Sequence, residues 1–173
     1  TIMLTSNPYD GNRVAGTVGL PLPGVEVRVV DDLGLACGPG EVGAIQVRGP
    51  NVFRGYWRMP EKTREEFTDD GWFRTGDVGR FDANGYLSIV GRSKDLIITG
   101  GYNVYPKEIE SVLDELPEVR ESAVVGIPDR DFGESVAAAV VPRDGARIDV
   151  AALVATVKGR IAGFKVPRKV LVV

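Results

Sequence analysis

Alternating apolar and polar residues make the first half of the chain a series of predicted β-strands. The alternation is clearest at residues 25–30 and 44–48, where apolar side chains recur at every second position and could face a core. A further strand is predicted at residues 72–75. Residues 81–87 predict a hairpin, with Asn84-Gly85 supplying a positive-φ turn. We therefore expect a β-rich body.

The segments around these strands are dense in turn-forming residues. Residues 5–12 and 16–24 are rich in glycine, proline and asparagine, and we predict that both are loops. One short helix is predicted at residues 60–67. Pro60 suits its first turn, and acidic side chains near that end complement the helix dipole.

Two longer amphipathic helices are predicted in the second half of the chain. Pro106 begins the first, and Pro117 ends it. Asp149 caps the second, and Gly163 ends it. Each presents one apolar face at helical spacing, formed by Ile109, Val112, Leu113 and Leu116 in the first and by Val150, Leu153, Val154, Val157 and Ile161 in the second.

Apolar strands flank these helices. They are predicted at residues 96–99, 119–127, 135–141 and 170–173, within a unit of order β-β-α-β-β-α-β. The fold class expected for the whole chain is α+β, with a β-rich portion over residues 1–92 and a small α+β domain over residues 93–173.

The composition excludes several kinds of chemistry. The 173 residues include one cysteine and no histidine, so the chain alone cannot supply a Ser-His-Asp triad or an ordinary zinc site. A single thiol, Cys37, favours a reducing, cytoplasmic setting. The net charge of −3 opposes a general nucleic-acid binder. No apolar run approaches the roughly 20 residues that span a bilayer, and no signal peptide is recognisable.

Both ends of the sequence look internal. The chain opens on Thr1 without an initiator methionine, and it closes within an apolar run at residues 170–173. Natural termini are usually polar and frayed. We therefore expect the chain to be part of a longer protein.

Asp77 is the first candidate binding residue. It follows Thr75-Gly76, where the glycine would let a ligand approach the backbone. A carboxylate has two acceptor oxygens, which match the two neighbouring hydroxyls of a ribose. The alternative is a strand-end aspartate that accepts hydrogen bonds from its own backbone.

Further candidates follow at the joint between the two predicted units. The Arg92 guanidinium could bind hydroxyls or a phosphate, or form a surface ion pair. Lys94 stays solvated in more than one backbone conformation, which suits a hinge. Gly100-Gly101 would allow a ligand to approach the backbone, or would simply form a bulge. Late in the chain, five cations form a basic patch that could meet phosphates or be a solvated helix face: Lys158, Arg160, Lys165, Arg168 and Lys169.

Taken together, these motifs resemble the adenylate-forming acyl-CoA synthetase family over nearly the whole chain. Phe73-Arg74-Thr75-Gly76-Asp77 is similar to the family's "[YF]RTGD" motif. Three further blocks occur in family order, at residues 40–67, 91–110 and 163–167. The opening at residues 7–25 resembles the malonyl-CoA synthetase branch.

The resemblance implies a fold and an activity. Residues 1–92 would complete a large domain that ends in a distorted β-barrel, and residues 93–173 would be a mobile lid. A carboxylic acid, here malonate, would attack the α-phosphate of Mg-ATP to give an acyl-adenylate. CoA would then displace AMP.

The resemblance also implies roles for individual residues. Asp77 and Arg92 would bind the ribose, and Lys94 would be the pivot of the lid. Gly100, Gly101 and Tyr102 would line the pantetheine path, with the basic patch facing the CoA nucleotide.

Other parts of the family's machinery would lie outside these residues. The resemblance places the Mg²⁺-linked glutamate and the phosphate loop before Thr1, and the catalytic lysine of adenylation beyond Val173. The 173 residues alone are therefore expected to adenylate nothing. Two alternatives remain open, an adenylation domain that loads a carrier protein and a non-catalytic lid that docks a protein partner.

Overall fold

The computed structural model describes residues 3–173 and divides into two compact units. The first ends at Ser93, and the second comprises Lys94–Val173. Both mix strands with short helices, which confirms the α+β class.

The first unit is built on an antiparallel four-stranded sheet. Its strands lie in chain order across the sheet, and the sheet stays open rather than closing into a barrel among the described residues: β3 (Glu26–Val30), β4 (Gly43–Arg48), β5 (Phe73–Phe81) and β6 (Leu87–Arg92). The helix α1 (Pro60–Glu66) lies between β4 and β5 in sequence. The core under the sheet contains Val29, Ile45, Val47 and Leu87.

A small ribbon replaces part of the predicted loops. The strands β1 (Thr5–Ser6) and β2 (Leu20–Pro21) pair antiparallel, with Ser6 opposite Leu20. Gly19 allows this pairing, because a Cβ at that position would collide with the backbone of Ser6. The prediction was wrong here because the contact depends on two segments that are separated in the chain.

The β5–β6 hairpin differs from its prediction in two ways. β5 continues to Phe81, well past the predicted end at residue 75. In the turn, Gly85 has φ 84° but Asn84 is not left-handed. Instead, the Asp82 carboxylate accepts hydrogen bonds from the N–H groups of Asn84 and Tyr86, so a wider turn is held by a side chain.

Cys37 packs against the core of the first unit. Burial is the main cause that raises the pKa of its thiol, and the nearby carboxylates of Glu41 and Asp31 raise it further. The side chain therefore stays a neutral thiol at pH 7, in keeping with a packing role.

The second unit has the predicted order β-β-α-β-β-α-β. Its elements are β7 (Ile97–Thr99), β8 (Tyr102–Val104), α2 (Pro106–Asp114), β9 (Val119–Asp129), β10 (Gly133–Pro142), α3 (Val150–Lys158) and β11 (Lys169–Val172). β10 is central, since it pairs antiparallel with β9 and β7 and parallel with β11. Ile109 and Leu113 of α2 pack with Leu153 and Val157 of α3 in the core of this unit.

The α3 helix begins as predicted and ends earlier. Asp149 caps it, accepting hydrogen bonds from the N–H groups of Ala151 and Ala152. The helix ends at Lys158 with Gly159 as its cap, and Gly163 instead begins one turn of 3₁₀ helix. Val150, predicted to face the core, is exposed because it lies in the first turn beside the cap.

Replacing Asp149 with alanine should lower the free energy of unfolding by about 1 kcal/mol, because two N–H groups lose their acceptor. Urea denaturation followed by circular dichroism would measure this change. The matched control is Asp144→Ala, whose fully exposed carboxylate lies 3.8 Å from Arg120. A control effect as large as that of Asp149→Ala would contradict the capping role.

Among residues 3–173, no helix is long and apolar enough to cross a membrane.

Candidate functional site

A bulge in β5 carries the first candidate residue. The β4–β5 register shifts midway along β4, so that Thr75, Gly76 and Asp77 all stand opposite Ile45. The Thr75 hydroxyl donates to the Ile45 carbonyl and accepts from the Asp77 N–H, each at 3.0 Å. Gly76 has φ 76°, which explains why glycine occupies this position. A bulge re-aims the side chain that follows it, here Asp77.

Asp77 and Arg92 form a cross-strand pair. They are directly opposite each other on β5 and β6, and Arg92 Nε lies 2.9 Å from Asp77 Oδ1. The Asp77 side chain is 24% exposed and that of Arg92 is 57% exposed, so the pair sits at the surface. The structure therefore brings together two residues that were separate candidates in the sequence. Asp77 keeps Oδ2 as a second acceptor.

Asp77 contributes to the walls of two cavities in the first unit. One has a volume of about 280 Å³ and is largely apolar, with Ile45, Val47 and Leu87 in its lining. The other is an open groove of about 550 Å³ whose lining includes Asp31 and Arg74. A ligand that binds Asp77 could therefore place one part against apolar side chains and another against charged ones.

Lys94 is the first residue of the second compact unit. It lies in one turn of 3₁₀ helix, Ser93–Asp95, and its side chain is exposed. The residue predicted to be the hinge thus lies at the boundary between the two compact units.

Gly100 and Gly101 form the tight turn between β7 and β8. Their φ angles are 56° and 82°, so both residues are left-handed, as a two-residue hairpin requires. Gly100 also donates its N–H to the Phe132 carbonyl at 3.0 Å. A Cβ on Gly100 would come within 3.1 Å of the Phe132 ring, so this position has little room for a side chain.

The turn borders a cavity of about 390 Å³ within the second unit. Its walls include aromatic rings from three separate segments, namely Tyr102, Phe132 and Phe164. Tyr102 stacks on Phe164 with ring centroids 4.6 Å apart and an interplanar angle of 22°. Both rings are partly exposed, at 58% and 40%, so they offer aromatic surface to a ligand.

The cations of the predicted basic patch are divided between the cavity wall and acidic partners on or beside α2. Lys158 and Arg168 line the cavity with the aromatic rings. Arg160 instead pairs with Glu115 at 2.9 Å, and Lys165 pairs with Glu108 at 2.7 Å. Proximity in the sequence could not reveal these partners, which lie on or beside α2.

The Arg168 side chain is held in place at the cavity. Its guanidinium lies 4.1 Å from the centroid of the Phe132 ring and 3.7 Å from Asp129 Oδ2. Backbone N–H groups of Asp131 and then Phe132 donate to the Asp129 carboxylate and lower its pKa, and the Arg168 charge lowers it further. Asp129 is therefore ionised at neutral pH and can hold Arg168 over the ring.

Sequence reasoning missed Phe132 and Phe164 as parts of this cavity, and it missed Asp129 as the acidic partner of Arg168. Phe164 lies inside the family motif at residues 163–167, which was a usable signal. Phe132 lies in the turn between β9 and β10, and Asp129 is the last residue of β9, where nothing local marks a ligand site. Within the described part of the chain, no three metal-binding side chains cluster closely enough to hold a metal ion.

Two family models match this sequence. The AMP-binding enzyme model matches residues 1–57, and the AMP-binding enzyme C-terminal domain model matches residues 108–173. The chain therefore belongs to the AMP-binding enzymes.

Several named relatives are similar over almost the whole chain. Malonate–CoA ligase from Arabidopsis thaliana is 43% identical over 99% of this chain and 29% of its own length. Indoleacetate–CoA ligase from Aromatoleum aromaticum is 45% identical over 95% of this chain and 32% of its own length.

Solved structures agree closely with both the fold and the sequence. ATP-bound MatB from Rhodopseudomonas palustris has a TM-score of 0.95 and 59% identity, covering 99% of this chain and 34% of that one. The amide bond synthetase McbA from Marinactinospora thermotolerans has a TM-score of 0.87 and 49% identity, covering 91% and 32% respectively. The chain thus spans about a third of the length of these relatives.

Proposed function

We propose that this chain is part of an ATP-dependent carboxylic acid–CoA ligase whose acid is malonate. A carboxylate oxygen attacks the α-phosphorus of ATP and pyrophosphate leaves, which gives an acyl-adenylate. The CoA thiolate then attacks the acyl carbonyl and AMP leaves, which gives the thioester. The Asp77–Arg92 pair carries this proposal, because it places a carboxylate and a guanidinium together at the bulge of the nucleotide motif.

The geometry of Asp77 and Arg92 supports the ribose-binding roles that the family resemblance implies. Asp77 binds the ribose of the nucleotide, since Oδ2 accepts a hydroxyl while Oδ1 faces Arg92. Arg92 binds the ribose as well and fixes the carboxylate by its Nε contact. The 57% exposure of Arg92 leaves the rest of its guanidinium for ligand contacts.

The second unit supplies the path for CoA. Lys94 is the pivot between the two half-reactions, supported by its position at the boundary between the units. Gly100 and Gly101 keep the turn free of side chains beside the pantetheine, and Tyr102 lines its path. Lys158 and Arg168 are the cations of the patch that meet CoA phosphates, because both line the same cavity as Tyr102.

Malonate is favoured by the opening motif at residues 7–25 and by one named relative. The chain is 43% identical to the malonate–CoA ligase of Arabidopsis thaliana. Other relatives of comparable identity are named for indoleacetate, ferulate and long-chain fatty acids. A reducing cytoplasm is the proposed location, supported by the lone thiol Cys37.

Thioester formation by the full-length protein tests the proposal. The assay would contain ATP, Mg²⁺ and CoA with malonate, methylmalonate, acetate or a medium-chain acid. We expect kcat/KM for malonate to exceed that for the other acids by about tenfold or more. Preference for a monocarboxylic acid would support the ligase activity and contradict malonate as the substrate. Formation of the acyl-adenylate without the thioester would contradict the ligase activity.

A second class of acyl-group acceptor is suggested by the similarity to McbA, which is named an amide bond synthetase. In that case an amine, rather than the CoA thiol, would displace AMP. Replacing CoA with a panel of amines in the same assay distinguishes the two acceptors. A carrier-protein thiol, the remaining alternative, would be revealed by loading of a phosphopantetheinylated carrier.

Tyr102→Ala should raise the KM for CoA about three- to tenfold and leave the KM for ATP unchanged. The substitution removes one ring of the stacked pair that lines the cavity. Steady-state kinetics with each substrate varied in turn would measure both constants. Tyr102→Phe keeps the ring and should retain the wild-type KM for CoA. Equal increases for CoA and ATP in Tyr102→Ala would contradict a role confined to CoA.

A further inference from the structure

Glu108 and Lys165 form a two-point ion pair beside the aromatic cavity. Lys165 Nζ lies 2.8 Å from Glu108 Oε1 and 2.7 Å from Glu108 Oε2, so both carboxylate oxygens accept from the same ammonium. The Lys165 side chain is only 20% exposed and that of Glu108 is 37% exposed. Partial burial reduces the screening of this pair by water.

The Glu108 end of the pair is rigid. Glu108 lies in the first turn of α2, where a negative charge also complements the helix dipole. Its neighbour Ile109 is completely buried, and so is Leu113 one turn later. The backbone that carries Glu108 is therefore held in place by the core of the second unit.

The Lys165 end belongs to a segment with little packing of its own. Gly163–Lys165 is one turn of 3₁₀ helix without a buried residue. Its central residue, Phe164, stacks on Tyr102 at the cavity. Since Lys165 directly follows Phe164, holding the ammonium of Lys165 also restricts where the Phe164 ring can lie.

We propose that Glu108 and Lys165 are positioning residues, which hold Phe164 against Tyr102 and thereby set the affinity for the CoA thiol substrate. They act through the aromatic pair rather than by touching CoA. This proposal rests on the proposed function for its substrate, whereas the positioning itself rests on the contacts above.

Three variants of the full-length protein test the proposal. Glu108→Gln and Lys165→Met should each raise the KM for CoA by about fivefold, as expected for an ion pair worth on the order of 1 kcal/mol. The KM for ATP and the rate of ATP–pyrophosphate exchange should stay unchanged. The reversed double variant, Glu108→Lys with Lys165→Glu, should recover most of the affinity for CoA.

The Arg160–Glu115 pair provides a matched control. It also joins the segment after α3 to the end of α2, at 2.9 Å, but it does not adjoin Phe164. Arg160→Met should therefore leave the KM for CoA unchanged. An equal increase in Arg160→Met, or no recovery in the reversed variant, would overturn the positioning role.

Hydrogen exchange separates this proposal from the function on which it rests. In the wild-type structure the N–H groups of Lys165 and Val166 donate to Ala162 and Gly163. Lys165→Met should accelerate exchange across residues 163–166, and Arg160→Met should not. Unchanged exchange in Lys165→Met would overturn the positioning even if CoA is the substrate. If Lys165→Met exchanges faster but the full-length protein forms no thioester, the positioning role stands and the proposed ligase function is wrong.

Discussion

Asp77→Ala is expected to raise the KM for ATP by roughly 10- to 100-fold in the full-length protein, because hydrogen bonds to a charged group contribute about 1.5–3 kcal/mol each. The substitution removes both the proposed acceptor for the ribose and the partner of Arg92. Steady-state kinetics with ATP varied at saturating acid and CoA would measure it. Asp77→Asn keeps the shape of the side chain but loses its charge, so an intermediate increase is expected.

The sheet itself offers a control for Asp77. Glu26 and Arg48 also form a cross-strand carboxylate–guanidinium pair, at 2.8 Å between β3 and β4. Glu26→Ala breaks a pair of the same kind in the same unit but away from the bulge. We expect the KM for ATP to change less than about twofold, since exposed ion pairs contribute little to stability. A similar increase in both variants would show that loss of sheet stability, rather than loss of ribose binding, explains the Asp77 result.

Leu113→Ala is expected to lower the free energy of unfolding of the second unit by about 2–5 kcal/mol, because a buried leucine leaves a cavity when it is truncated. Leu113 is completely buried and belongs to the cluster that joins α2 to α3 and the sheet. Urea denaturation monitored by circular dichroism would measure the loss.

Leu171→Ala is the control for this core substitution. Leu171 lies on β11 of the same unit and is 50% exposed, so its truncation should cost less than about 1 kcal/mol. If the two variants lost equal stability, Leu113 would not be the centre of the core that its burial indicates.

The relation between Asp77 and Arg92 depends on strand register. The motif at residues 73–77 and the arginine at residue 92 were recognisable separately in the sequence. Their 2.9 Å contact arises because the β5–β6 register shifts between Val78 and Gly79, which brings Arg92 opposite Asp77. Register is set by the packing of the whole sheet, so a local pattern could not reveal that these two residues are opposite each other.

The basic patch illustrates the same limit for charge. Five cations lie close together in sequence, but Arg160 and Lys165 have acidic partners on or beside α2. Lys165 and Glu108 are separated by 57 positions. The sequence identifies only the cations themselves. The tertiary structure determines which of them can contact a ligand.

The sequence alone determined the elements whose causes are local. Alternating apolar residues predicted β3 and β4, an apolar stripe predicted α2 and α3, and Asp149 marked a helix start because its carboxylate caps N–H groups two and three residues away. Only the tertiary structure decided the β1–β2 ribbon, the Asp77–Arg92 pair and the Glu108–Lys165 pair. Each of these depends on groups that are distant in sequence, and the packing of the folded chain brings them together.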